Sequence, residues 1–253
     1  MRLTLMVRRF RKAFAFFLVA FAVAGCDAKA SDGYRWKLTL AMNTPDGVKR
    51  ASSVSQISFF DVSIPARGVM HRVIGEALYL DLGPNGRPLV VLMTNTLHGP
   101  YDKELMRLDS EGLRWSDETG PSLQLLLRIY GMTSSPGRDT DFRVDVRRLA
   151  PMRGAHAIAA SDLPDLVTFA DIGDPATVMK VDPNDPEATL GKGVSWNEIT
   201  LEMTDEPMTT DIVSSLPWLL KYRDKNLNLD GTKYQTRRDD PANRLKTWNF
   251  LQG

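Results

Sequence analysis

The chain holds three imidazoles, His71, His98 and His156, and these are its first candidates for proton transfer or metal binding. Metal and general-base histidines announce themselves at HxxH, HExxH or HxH spacing, because such spacing puts two rings on one face. None of these spacings occurs, and a joint site would require the fold to assemble three separate segments. A serine nucleophile set in GxSxG or SxxK is also missing. The nearest approach, Gly193-Val194-Ser195-Trp196-Asn197, lacks the last glycine. Phosphate-cradling loops of the GxGxxG and GxxxxGK[ST] types are absent as well.

Two oxygen-rich stretches remain. Asp171, Asp174, Asp182, Asp185 and Glu187 are interleaved with Pro175, Pro183 and Pro186. Such a loop can hold calcium, but aspartate and proline are equally what turns need, since Asp accepts from its own backbone and Pro fixes φ. The turn is the preferred reading. Asn226, Asn228, Asp230 and Gly231 match the first half of an EF-hand loop, yet the twelfth position falls on Arg237. A cation there replaces the bidentate glutamate that calcium requires, so a tight polar turn is expected. No spacing selects a catalytic pair of carboxylates. The chain is therefore assigned no catalytic residue, no metal site and no cofactor, and whether it is an enzyme is left open, with the negative preferred.

The last candidate is Cys26, the single cysteine. Residues 2–12 contain Arg2, Arg8, Arg9, Arg11 and Lys12 and no acid, and residues 13–25 read AFAFFLVAFAVAG without a charge. The order basic, apolar, small is that of a secretory signal. The apolar run is shorter than the roughly 20 residues a membrane-spanning helix needs. Val23-Ala24-Gly25-Cys26 resembles the lipobox of bacterial lipoproteins. That resemblance implies cleavage before Cys26, a diacylglyceryl group on its sulfur and an acylated new amine. The expectation is a signal peptide over 1–25, a lipidated tether over 26–33 and a globular domain over 34–253. Asp27 resembles the signal for inner-membrane retention, so the expected location is the periplasmic side of that membrane. Arg8-Arg9 is a poor match to a twin-arginine signal.

Cleavage at Cys26 would remove five of the 32 basic residues and none of the 31 acids, which changes the net charge from +1 to −4. A mildly acidic domain carries no electrostatic case for nucleic acid. With Cys26 acylated no thiol remains, which excludes disulfides, thiol redox chemistry and cysteine-ligated zinc. Eight tether residues span at most about 28 Å.

The elements that must position these groups are mostly strands. Tyr34, Trp36, Leu38, Leu40 and Met42 alternate with polar or small residues at the period of a half-buried strand. Pro45-Asp46-Gly47 is a turn, and 53–64 is a second strand. Glu76–Leu82 and Pro88–Thr94 form a hairpin around Gly83-Pro84-Asn85-Gly86. Further strands are expected at 142–147, 166–170 and 198–203. Helices are expected at 121–130, at 210–216 and from the Asp240-Pro241 cap through Leu251. This predicts an α+β fold of mostly antiparallel sheet with a few short helices, preceded by the signal peptide. The stretch 171–187 is either a linker or an ordered loop with several turns. At least three of the five tryptophans are expected in the core.

Leu163 to Pro183 (LPDLVTFADIGDPATVMKVDP), Leu216-Pro217-Trp218-Leu219 and Asn243-Arg244-Leu245 resemble stretches of uncharacterised bacterial envelope lipoproteins. That resemblance implies a shared fold and no activity. The expected function is a membrane-anchored, non-catalytic binding or accessory domain. Its partners would be the membrane, through the lipid on Cys26, and an envelope protein or ligand. The alternatives are an envelope hydrolase with an acidic or Ser/His site, and an immunity-type lipoprotein.

Overall fold

The alternation of large apolar and polar side chains across residues 34–42 builds the spine of the molecule. In the computed structural model, which describes residues 32–61, 69–97, 115, 116, 120–135 and 142–253, this segment lies in strand β1 (Asp32–Thr44). Tyr34, Trp36, Leu38, Leu40 and Met42 are all buried on one face. β1 turns at Pro45 and Asp46 into β2 (Gly47–Asp61), with Thr44 opposite Gly47 and Asp32 opposite Phe59. β2 pairs with β3 (Val69–Glu76). On its other side β1 pairs with β11 (Ser195–Met203), in a register that shifts between Ala41 and Met42. β8 (His156–Ala157) and β12 (Leu251–Gln252) complete a six-stranded sheet in the order β12-β3-β2-β1-β11-β8. Gly75 of β3 is required by proximity, because a Cβ there would lie 2.0 Å from the Ser55 hydroxyl oxygen.

A second sheet has the order β10-β9-β5-β4. It is made of β4 (Leu78–Leu80), β5 (Leu89–Val91), β9 (Leu166–Phe169) and β10 (Val178–Lys180). The expected hairpin around residues 83–86 is its β4–β5 pair. A two-stranded ribbon, β6 (Trp115–Ser116) with β7 (Gly120–Pro121), is the remaining sheet. Every strand pairing is antiparallel. The architecture is α+β and built mostly of antiparallel sheet, as the strand patterns predict.

The small sheet is buried on both faces. Leu78, Leu80, Leu89, Val91 and Leu166 face the large sheet and share its core with Leu38, Leu40, Ile57 and Leu201. Their neighbours Val90, Val167 and Phe169 enter a second core on the other side. That core is covered by the C-terminal chain: α4 (Ile212–Ser215), α5 (Trp218–Lys225), α6 (Pro241–Arg244) and the 3-10 turn Thr247–Asn249. Its buried members there are Leu216, Trp218, Leu219, Leu229, Leu245 and Phe250. The rings of Phe169, Trp218 and Phe250 meet at 5.5–6.4 Å. Fully burying a side chain of this size is worth about 1.5–3 kcal/mol.

The helices meet two expectations and correct two. α1 (Leu123–Ile129) lies within the expected 121–130, with Ser122 as its N-cap accepting from Leu125 N–H. Residues 142–147, expected as a strand, are part of helix α2 (Phe142–Leu149). Their alternation would place Val144 inside, but Val144 is exposed, while Val146 and Leu149 are buried. The buried Asp145 accepts from the Ser135 N–H and hydroxyl and from Arg148, a local network that a strand would not provide. The helix expected from Pro241 to Leu251 has the predicted Asp240 cap and Pro241 start but ends at Arg244. Leu245 turns extended, and the chain leaves for the 3-10 turn and β12. The helix expected over 210–216 is α4, and α5, not expected from the sequence, starts directly after Pro217 and ends at Asn226, whose φ of 49° is left-handed.

Residues 171–187 are ordered rather than a linker. They carry the 3-10 turn Pro175–Thr177, strand β10 and the start of α3 (Pro186–Leu190). Contacts group Ser31–Gly253 into one compact unit. The signal and lipobox residues, and His98, lie outside the described residues.

Candidate functional site

The acidic loop is a set of turn caps. Asp171 accepts from Gly173 N–H at 2.9 Å, Asp174 from Ala176 at 3.0 Å and Asp182 from Asn184 at 2.8 Å. Asp185 caps α3 through Ala188 N–H at 3.2 Å, and Glu187 accepts from Gly193 N–H at 2.8 Å. Each carboxylate faces its own backbone, so they do not converge on a common centre. Among the described residues no group of three or more His, Cys, Asp or Glu side chains is placed to hold a metal ion.

The EF-hand-like segment is closed by its own cation. Asp230 accepts from Thr232 N–H and hydroxyl at 2.9 and 2.6 Å, from the Asn243 amide at 2.7 Å and from Arg237. Arg237, which stands where calcium would need a glutamate, therefore neutralises the carboxylate at the fifth position. Burial alone would raise the Asp230 pKa, but these donors together lower it to about 2. Asn243 ties the loop to α6. Its carbonyl oxygen accepts from Thr236 and Arg237 N–H, and its amide also donates to Thr232 and to the Tyr234 carbonyl.

The two described histidines are not brought together. His71 lies on β3 and His156 on the edge strand β8, with β2, β1 and β11 between them. At about 4.8 Å per strand this is roughly 19 Å. His156 packs edge-on against the Tyr130 ring at 4.4 Å, and Tyr130 donates its hydroxyl to Gly154 O. Ser195 lies at the start of β11 and accepts from the Asn43 amide at 3.2 Å.

The densest buried polar cluster was missed by motif reading, since its members are far apart in sequence. It lies where the chain leaving β5 meets the start of β9 and the C-terminal turn. Thr94 and Asn249 are fully buried, and Asp165 nearly so. The Asn249 amide donates to both the Thr94 and Thr96 hydroxyls at 2.7 Å, and its carbonyl oxygen accepts from Lys246 N–H. Asp165 accepts from Leu97 N–H at 2.6 Å, while Arg244 donates to the carbonyls of Thr96 and Leu97. This cluster clamps the β5 exit to the C-terminal chain. Its hydroxyls are shared with an amide rather than with a base, so the arrangement restrains backbone and does not prepare a nucleophile.

Glu76, another buried acid, accepts from Asp211 and Ile212 N–H at 2.8 and 3.1 Å and so caps the start of α4. The open cleft at the end of the large sheet has a volume of about 280 Å³ and is lined by Arg35, Gln56, Ser58 and Asp205, among others. Arg35 there is bonded to Gln56 and to the carbonyls of Asp205 and Glu206. The tryptophans divide as expected: Trp36, Trp115 and Trp218 are buried, Trp196 is half-buried, and Trp248 is 42% exposed. Among the described residues no helix is long and apolar enough to cross a membrane. Compared with known proteins, the chain matches no family model, no curated protein and no solved structure.

Proposed function

We propose that this chain is a bacterial lipoprotein, anchored through lipid on Cys26 at the periplasmic face of a membrane, whose folded part is a non-catalytic binding or accessory domain. The observation that carries the anchor is Val23-Ala24-Gly25-Cys26 directly after a basic and then an apolar run. In support, β1 begins at Asp32, six residues beyond the cysteine. A tether of that length spans about 20 Å fully extended. The binding role is supported by how the buried acids are used. Asp145, Asp230 and Glu76 each accept hydrogen bonds that hold turns and helix starts. Catalytic acids and bases ordinarily face a cleft that a substrate can enter. Trp248 is the exposed aromatic best suited to a protein partner, because exposed tryptophans are enriched in binding hot spots. Asp27 favours retention at the inner membrane.

Mass spectrometry of the amino terminus of protein extracted from membranes tests the anchor. A diacylglyceryl-modified Cys26 as first residue is expected. An unmodified Cys26, or residues preceding it, would overturn the reading.

A further inference from the structure

The end of the large sheet where the tether emerges gathers arginines and exposed apolar side chains around the start of β1. At the tether end Asp32 pairs with Phe59, and the Phe142 ring meets Phe59 at 5.1 Å, which fixes α2 beside the start of β1. Arg147 of α2 reaches Asp32 at 3.1 Å, and Arg143 approaches the same carboxylate at 3.8 Å. Residues 142–153 hold Arg143, Arg147, Arg148 and Arg153 against the single acid Asp145. The Arg147 side chain remains 60% exposed. Large apolar groups are exposed at this same end. Phe60 and Met70 are cross-strand partners at 38% and 39%, and Val144 of α2 is 39% exposed. At the far end of β1, about 40 Å away at ~3.4 Å per residue, lies the turn bearing Asp46. Asn85 binds Asp46 there, and Trp196, opposite Met42, donates to Pro183 O in the loop of Asp182, Asp185 and Glu187. The acids of that loop lie at the far end together with Lys49 and Arg50 of β2.

We propose that the tether end is a membrane-contact face. On it Arg143 and Arg147 meet anionic phospholipid headgroups while Phe60, Met70 and Val144 enter the interfacial layer. This rests on the anchored reading, because the tether brings this end to the bilayer. Basic residues near an anionic surface attract it with a strength that falls with salt, and exposed apolar side chains add area-dependent partitioning. A domain held this way keeps one orientation, the Asp46 turn directed away from the lipid.

The test uses the chain from residue 26 onward carrying Cys26→Ser, so that no acyl chain contributes. Its outcome is thus independent of whether Cys26 is lipidated, which the amino-terminal mass reads separately. Co-sedimentation with vesicles of phosphatidylglycerol and phosphatidylcholine is compared with pure phosphatidylcholine. Binding to the anionic vesicles alone, weakened by 0.5 M salt on the order of the screening expected at a ~4–5 Å Debye length, is expected. Arg143→Gln with Arg147→Gln lowers partitioning about thirtyfold. Because Arg147 also pairs with Asp32, the surface variant Phe60→Ser with Met70→Ser supplies a second arm and is expected to weaken binding to the same vesicles. Equal binding to neutral vesicles, no binding to anionic ones, or two folded variants that bind like the parent would each overturn the proposal.

Discussion

The two faces of the small sheet are covered in opposite ways. On one face Leu78, Leu80, Leu89 and Val91 meet another sheet, whose backbone is satisfied by its own ladders. The packing can therefore be almost wholly apolar. On the other face Val90, Val167 and Phe169 meet a chain of short helices and turns whose ladder pairing is sparse, an Asn228–Lys246 bridge and the short β12. Its backbone groups need partners all the same. Beside local backbone bonds, side chains supply several of them: Asn243 accepts two N–H groups, Asn249 one and Asp230 one. The second core thus depends on buried polar residues as much as on its aromatic rings. A loss of one amide there exposes unsatisfied groups, whereas a loss in the first core leaves a cavity.

The comparison predicts a ranked set of outcomes. Phe250→Ala, which removes a fully buried ring beside Phe169 and Trp218, is expected to cost about 3–5 kcal/mol. If the two cores are one cooperative unit, far-ultraviolet circular dichroism and Trp218 emission will report one midpoint during urea unfolding of this variant. Two separated midpoints would break the comparison into independent layers. Leu40→Ala, at the centre of the first core, is expected to cost about 2–5 kcal/mol by the same unfolding measurement. Asn243→Ala is expected to cost about 1–3 kcal/mol by leaving buried donors unpaired. Hydrogen exchange should then speed up at Leu229 and Leu245 while β1 and β2 keep their protection.

A smaller effect concerns acid. Asp230 has its pKa held at about 2, below the ordinary carboxylate value of 3.8. A depressed carboxylate contributes stability that is fully present above its unfolded pKa and is lost as pH falls through the folded one. The loss is therefore expected between about pH 4 and pH 2. Asp230→Asn should lower stability at pH 7 and flatten the decline across that window, as followed by thermal unfolding at stepped pH. The smallest change in stability is expected at Trp248→Ala, within about 0.5 kcal/mol, because the ring is partly exposed. The same substitution should reduce recovery of a membrane-extracted partner. Unchanged recovery would remove Trp248 from the binding surface.

The first core is largely legible in the sequence, because its strands keep period two over long runs: Tyr34 to Met42, Leu78 to Leu82 and Ile199 to Met203. The turn chemistry is legible too. Asp171, Asp174, Asp182 and Asp185 each accept a nearby backbone N–H, as turn aspartates are expected to do. What periodicity misses is local competition. FRVDVRRL satisfies period two at Phe142, Val144 and Val146 and helical spacing at Phe142, Val146 and Leu149. Asp145 and its bonds to Ser135 and Arg148 decide for the helix. The C-terminal cover is legible only at its starts. Asp240-Pro241 marks a beginning, but no glycine or proline marks the end at Arg244. The stop comes from Asn249 and Thr94, 155 residues apart, and a window along the chain cannot see that pairing.

The last strand, Leu251–Gln252, pairs with Gly75 and Glu76, and Phe250 beside it is fully buried. A ribosome delivers a chain amino end first. The β1–β2–β3 meander can then pair once residue 76 has emerged, while one edge of the large sheet and one side of the small sheet wait for residues 250–252. Closure of both sheets thereby depends on residues made long after the meander, and a chain lacking residues 250–252 retains an open edge and an uncovered aromatic pocket.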